Sequence, residues 1–244
     1  MMTNQVRRWS RREFLKATGT ASAISALGLP VSLFAAGTKI GMIGSGRVGS
    51  TVGELWVKAG HEVMFSSLNL ESDKALAAKF GRGARAGTSK EAAAFGEVVF
   101  VAVPYSAMPA VSRDIGEILR GKVVMDASNP IPTRDGPMAE PAREKGAGLA
   151  SAEYFPGSRL VRAFNCIGWT HMLNEAHRPG DKMAIPLAAD DAAAMQVAIR
   201  LVKEAGFEPV PVGGLARAKD FDWGTPIFGK PVTAAQAREI LGVK

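Results

Sequence analysis

The stretch "KIGMIGSGRVGSTVGELWVKAG", residues 39–60, sets the architecture of this chain. "TKIGMIG" is a short apolar run with β-type residues and reads as a first strand. The sixteen residues after it, "SGRVGSTVGELWVKAG", read as a helix. Val48, Val52, Leu55, Trp56 and Ala59 recur at helical spacing as one apolar stripe, and Gly60 stops it. Between strand and helix stands G-x-G-x-x-G: Gly44, Ser45, Gly46, Arg47, Val48, Gly49. A glycine triplet alone is a weak sign, but one that leaves a strand and opens a helix is the dinucleotide fingerprint. Each glycine has its own reason: Gly44 for the tight turn, Gly46 for approach of a pyrophosphate, Gly49 for packing of helix on sheet. The helix N-terminus then offers free N–H groups and partial positive charge to phosphate.

Outward from this stretch the pattern repeats. "HEVMFS" is a second strand, and "LESDKALAAKFG" a helix closed by Gly81. "ARAG" is a short third strand, and "TSKEAAAFG" opens with a capping box, Thr88 with Glu91. "EVVFVAVP" and "KVVMDASNP" are apolar on both faces, as buried parallel strands require, with the helix "SAMPAVSRDIGEILRG" between them. This alternation predicts an α/β fold, a Rossmann-type doubly wound parallel sheet. Residues 131–158, rich in Pro and Gly, read as a long excursion over the surface. "RLVRAFN" is a further strand; "MAIPLAAD", "DAAAMQVAIRLVKEAG" and "FEPVPVG" form a strand-helix-strand extension, and "TAAQAREILG" a terminal helix. No linker divides residues 37–244, which are expected to be one domain.

The first 36 residues read differently. Ser10, Arg11, Arg12, Phe14, Leu15 and Lys16 match a twin-arginine export signal, followed by a weakly apolar run broken by Gly28 and Pro30. The sequence therefore predicts a signal peptide over 1–36, engagement of the Tat machinery and a periplasmic or extracellular location. A bulky residue near Ala35 and Ala36 blurs the cleavage site, which leaves retention at the membrane open. Five basic residues and one acid fall in this segment, so 25 basic and 22 acidic residues of the 30 and 23 remain beyond it. That balance does not call for a nucleic acid partner. Cys166 is the single cysteine, so no intramolecular disulfide forms, as suits a chain folded in a reducing compartment before export.

Cofactor choice is read at the end of the second strand. An NAD site places an acid there for the ribose hydroxyls. Here the strand ends in Phe65, Ser66 and Ser67, with no acid, so NADP is favoured and the serines are candidate 2′-phosphate partners. Arg47 is a further candidate.

Together "KIGMIGSGRVGSTVGELWVKAGHEVMFSS", "VVFVAVP", "KVVMDASNP" and "LVRAFN" resemble the NADPH-dependent oxidoreductases of the coenzyme F420 type. These share an N-terminal fold with pyrroline-5-carboxylate reductases and with the reductase domain of STEAP metalloreductases. The similarity spans roughly residues 38–215. It implies NADPH along the carboxyl edge of the sheet and hydride transfer to a planar acceptor: F420, a flavin, or ferric or cupric ions through a flavin. It also implies that Val103-Pro104-Tyr105 and Ser128-Asn129-Pro130 run past the ribose and nicotinamide, with Asn165 nearest the nicotinamide as a positioning group. Leu68 stands where such proteins often carry a phosphate-gripping Arg, and the tail after Ala216 departs from the pattern. Trp223 and Phe228 in that tail suit either a planar ligand or the last helix.

Cys166 reads as a buried small hydrophobe rather than a nucleophile, and His171 and His177 lie six apart, which suits no metal set. A homodimer is left open. The reading from another class is a non-catalytic dinucleotide-binding subunit or assembly partner of an exported redox complex.

Overall fold

The computed structural model describes residues 37–244; the export signal expected over residues 1–36 lies outside the described residues. Chain order runs β1 (Lys39–Ile43), α1 (Arg47–Lys58), β2 (Glu62–Ser66), α2 (Leu70–Phe80), β3 (Ala84–Ala86), α3 (Ser89–Phe95), β4 (Val98–Val101), α4 (Met108–Ile115) and β5 (Val123–Asp126). Three short helices follow, α5 (Pro132–Asp135), α6 (Ala139–Lys145) and α7 (Ala147–Tyr154), then β6 (Arg159–Arg162) and α8 (Trp169–Glu175). The chain ends with β7 (Ala184–Ala189), α9 (Ala192–Glu204), β8 (Glu208–Gly213), a 3-10 segment (Leu215–Phe221) and α10 (Ala234–Leu241).

Among the described residues, all strands join one eight-stranded sheet in the order β3-β2-β1-β4-β5-β6-β7-β8. The strands from β3 to β6 are parallel, as expected. One junction departs from the expectation: β7 runs antiparallel to β6, through Val161 opposite Ala189 and Arg162 opposite Ala188. β7 and β8 are parallel to each other, because the α9 crossover returns the chain in the same direction. Prolines 209 and 211 are tolerated in β8 because it is an edge strand.

The sheet is covered on both faces. One face packs Trp56, Phe100, Phe164 and Phe207 into an edge-to-face aromatic chain with centroids 5.2–6.0 Å apart. The Trp56 Nε1 donates to the Leu201 carbonyl at 2.9 Å, which ties α1 to α9. The other face holds Val99, Val101, Met108, Leu119 and Phe155.

Residues 131–158 do not wander over the surface as their Pro and Gly content suggested. The breakers cut the segment into α5, α6 and α7, whose Ala142 and Ala150 are buried in the second core with Phe155. Small apolar side chains let these short helices approach closely, a signal hidden by the proline count. The Thr88 capping box forms, and a second at Thr233 and Gln236 starts α10.

Candidate functional site

Strand order reverses at β1, whose neighbours are β2 and β4. In open α/β sheets that switch point is where a ligand crevice opens, outside the carboxyl ends of the strands. A cleft of about 390 Å³ lies there. Gly44, Ser45 and Gly46 form its wall after β1, Ser67, Leu68 and Asn69 after β2, and Val103 and Pro104 after β4. Among the described residues none that line it is ionisable, and Ala107, Ala110 and Val111 give it an apolar side.

The three glycines of the loop differ physically. Gly44 has φ +94°, and its N–H and that of Ser45 both donate to the Ser66 carbonyl, at 2.9 and 3.1 Å. A Cβ on Gly49 would lie 1.9 Å from the Gly44 carbonyl oxygen, so this glycine permits α1 to pack on the turn. Gly46 has neither reason. Its φ of −64° is open to any L residue, and a Cβ there meets nothing within 4 Å. The position faces open space at the N-terminus of α1, where no side chain caps the helix and no acid stands in the first turn. The backbone N–H groups of that turn lack intrahelical acceptors and point outward. This is the cradle that a pyrophosphate needs, and a side chain at Gly46 would fill it. The donor chemistry of the cleft therefore fits a dinucleotide. Arg47 leaves the loop toward α8, with its guanidinium 5.5 Å from the centroid of Trp169.

The end of β2 holds a residue that the sequence reading missed. Asp73, in the first turn of α2, is buried and accepts hydrogen bonds from the hydroxyls of Ser45 and Ser67, the latter at 2.9 Å. It lies beyond the strand end where an acid was sought, and Asn69 before it reads only as a helix cap. The carboxylate ties the glycine loop to the β2 loop. It also engages the one hydroxyl proton of Ser67. Ser66 is buried and its Oγ donates to the Met42 carbonyl at 2.7 Å. Neither serine thus holds a free hydroxyl donor for a 2′-phosphate, contrary to their expected role. Leu68 is fully exposed at the rim, with Asn69 and Ser89 beside it on the cleft wall.

The loop after β4 splits. Val103 and Pro104 line the cleft, but the Tyr105 side chain is packed in the core against Tyr154, with ring centroids 6.0 Å apart. Burial pushes its phenol far above the ordinary range.

The loops after β5 and β6 are joined by Arg162, a buried guanidinium that ends β6. One of its nitrogens donates to Asp126 Oδ2 at 2.6 Å and to the Ser128 carbonyl at 2.7 Å. The other donates to Asp222 Oδ1 at 2.9 Å. Ser128 is buried, and its hydroxyl is given to Asp126. Asn129 Nδ2 donates to the Asn165 carbonyl at 2.7 Å. Asn165 does not cap the next helix, where Gly168 stands. Its Nδ2 instead donates to the Phe221 carbonyl and to Asp222, both at 3.3 Å, while its Oδ1 is buried without a partner. Phe164 before it sits at φ +60°, a left-handed conformation rare for an aromatic residue. The ring is anchored in the core, so the turn is imposed by packing and directs Asn165 into the network. Ser128, Asn129 and Asn165 therefore form an inner layer that fixes the loops, whereas Gly44, Ser45, Gly46, Ser67, Val103 and Pro104 form the cleft wall. Cys166 is fully buried, and burial pushes its thiol up to about 12.

A switch-point cleft with an uncapped helix and an unexplained glycine defines a dinucleotide-binding α/β protein of the doubly wound type. Residues 39–130 match the family model of NADP oxidoreductase, coenzyme F420-dependent. The chain is 30% identical over 204 residues to the F420-dependent NADP reductase of Methanothermobacter thermautotrophicus, covering 78% of this chain and 87% of that protein. It belongs to this family, and it is an NADP-dependent oxidoreductase. It is also 26% identical over 189 residues to the mouse metalloreductase STEAP2, across 75% of this chain and only 35% of that longer protein. Among solved structures, a hypothetical protein of Sinorhizobium meliloti superposes with a TM-score of 0.70 at 25% identity, over 80% of this chain and 95% of that one.

Proposed function

We propose that this protein is exported by the twin-arginine route and transfers hydride from NADPH to a planar acceptor, F420 or a flavin. Gly46 carries the binding half of this reading. It is a glycine demanded by neither backbone nor packing, at the mouth of an uncapped helix. The N–H groups of Arg47, Val48 and Gly49 would hold the pyrophosphate there, with Ser45 and Ser67 kept in place by Asp73. Asn69 and Ser89 on the β2 side face the ribose end, and Leu68 covers it.

When bound, NADPH supplies the hydride; the acceptor gains that hydride and one proton from solvent. The chain's own residues supply geometry and dryness. Val103, Pro104 and Ala107 exclude water from one wall, and the Arg162 network fixes the β5 and β6 loops. Since no cleft-lining side chain among the described residues is ionisable and the Cys166 thiol stays protonated, no protein acid or base is asked to act in this reading. The F420 acceptor is favoured by the likeness to an F420-dependent NADP reductase, and a flavin by the same chemistry. Export is favoured by Ser10-Arg11-Arg12 with Phe14-Leu15-Lys16. A folded chain leaving with its nucleotide aboard explains how such an enzyme works where free NADP is scarce.

The test is NADPH oxidation by the full chain with F420, flavin mononucleotide or ferric chelate, followed at the nicotinamide absorbance. Loss of absorbance with a planar acceptor is expected. Tight NADPH binding without turnover with any of them would favour the non-catalytic reading. Arg11→Lys with Arg12→Lys should keep the folded protein in the cytoplasm; delivery at the wild-type level overturns the export part.

A further inference from the structure

We infer that a second, smaller pocket on the carboxyl edge of the sheet holds the phosphate of the hydride acceptor. It has a volume of about 100 Å³ and is lined by Pro130, Arg143, Lys219, Asp222, Trp223 and Thr225. This deepens the hydride-transfer reading and rests on it.

Three observations place this pocket on the acceptor side. The first is topological. Pro130 follows the loop that leaves β5, and Asp222 is clamped at 2.9 Å by Arg162, the last residue of β6. The cleft beside Gly46 opens at the exits of β1, β2 and β4. β4 and β5 are neighbours, so the pocket continues the same edge one strand further on. Adjacent strands lie only about 4.8 Å apart.

The second observation is chemical. Arg143 stacks on Trp223, its guanidinium carbon 4.8 Å from the ring centroid. Stacking fixes the plane of the guanidinium and leaves its edge able to meet a phosphate with paired N–H donors. Lys219 stands at the surface and, among the described residues, has no ion-pair partner. Two negative groups are also present. Glu140 pairs with Arg143 at 3.0 Å, but it is largely exposed and its pull is screened. Asp222 has both oxygens engaged, Oδ1 by Arg162 and Asn165 and Oδ2 by the Ala147 N–H at 2.9 Å. Arg162 is shared between Asp126 and Asp222, so the buried network carries one formal negative charge, but both Asp222 oxygens are held by protein donors, and the cations that face the pocket are Arg143 and Lys219.

The third observation is one of scale. The pocket is far too small for a ring system and suits a compact headgroup. Trp223 already carries Arg143 on its ring, so the pocket holds the headgroup alone and leaves the attached ring outside it. Flavin mononucleotide and F420 both carry a phosphate on a side chain of a planar ring, and riboflavin has the ring without it. All of Arg143, Lys219 and Trp223 lie outside residues 39–130, the part matched by the family model.

The experiment titrates the full chain with flavin mononucleotide and with riboflavin, following quenching of flavin fluorescence, with NADPH affinity measured on the same preparation. Wild type should bind the mononucleotide about tenfold or more tighter than riboflavin, the order that one charge-assisted contact carries. Lys219→Met with Arg143→Met should bind the two flavins alike. Lys219→Met alone keeps the stacked Arg143 and should lose about half of the preference on a logarithmic scale. Equal binding of both flavins by wild type, or a preference that survives the double substitution, overturns the pocket. Failure of NADPH itself to bind would strike the hydride-transfer reading instead. Both cations are on the surface, so unchanged circular dichroism and melting are expected and separate lost contact from lost fold.

Discussion

The loop after β1 and the loop after β6 leave the same edge of the same sheet and are built in opposite ways. After β1 the chain has Gly44, Ser45 and Gly46, with an open position and helix N–H groups that have no acceptor. After β6 it has Ala163, Phe164 and Asn165, all buried, with a strained backbone and polar groups mostly committed to one another, Asn165 Oδ1 excepted. The first loop works by what it leaves unmade, the second by what it has already made. A ligand is gripped where main-chain donors are free. It is positioned where a buried ionic network around Arg162 keeps the walls from moving.

The largest expected effect tests the closed loop. Arg162→Met removes the partner of Asp126 and Asp222 and leaves two carboxylates under-paired. Breaking a buried pair in this way costs about 3–5 kcal/mol. For a domain of this size the melting temperature should fall by about 10 °C. A change within about 2 °C by calorimetry, no more than about 1 kcal/mol for a domain of this size, would mean that the network is dispensable and the contrast false.

The open loop is tested next, by a pair of substitutions. Gly49→Val drives a side chain into the Gly44 carbonyl and should destabilise by at least the roughly 1–3 kcal/mol of overpacking. Gly46→Val has open space around its Cβ, so it should cost only the roughly 1 kcal/mol or less of a poorer N-cap, while NADPH affinity drops about 100-fold, near 2.7 kcal/mol. Isothermal titration and thermal melts of both variants would separate the roles. Equal loss of stability in the two breaks the argument from open space.

A smaller gain sharpens the same loop. Leu68→Arg places a guanidinium on a fully exposed rim position beside Asn69 and Ser89. NADPH should bind about five- to tenfold tighter, as one exposed charge-assisted bond allows, with NADH unchanged. Equal gains for both cofactors would show that Leu68 lies away from the 2′-phosphate.

The smallest effect concerns pH and comes from neither loop. His61 begins the far, amino edge of β2. Its Nδ1 accepts from the Thr38 N–H at 3.1 Å and its Nε2 faces Glu204 at 3.0 Å, with Arg200 also bound to Glu204. Burial lowers its pKa below the ordinary histidine value, against the opposing pull of Glu204. A depressed pKa means that the unfolded chain takes up the proton first. The stability it confers is whole above about pH 6.5, the ordinary histidine value, and is lost as pH falls toward the lowered one. His61→Gln should therefore show a shallower fall in melting temperature between pH 7 and 5 than wild type. Parallel curves would remove His61 from the account.

Legibility in the sequence divided along the same line as the two loops. The glycine loop, the buried strands "VVFVAVP" and "KVVMDASNP", and the cap at Thr88 were readable because each is encoded by neighbours in the chain. The helices between residues 131 and 158 were not, because breaker residues outweighed the small apolar side chains that let them pack. The reversed direction of β7 was equally hidden, since a strand's own residues do not state which way its neighbour runs.

The sequence by itself determined that β1, a glycine turn and α1 form in succession, because backbone conformation is settled over a few residues. Only the tertiary structure decided which polar groups remain available. Asp73 meets Ser45 from 28 residues away, Arg162 meets Asp126 across 36 and Asp222 across 60, and each meeting consumes a group that looked free in the chain. A side chain's partner is chosen by whatever folding brings beside it, and in a buried place that choice is nearly irreversible, since an unpaired charge there costs several kcal/mol.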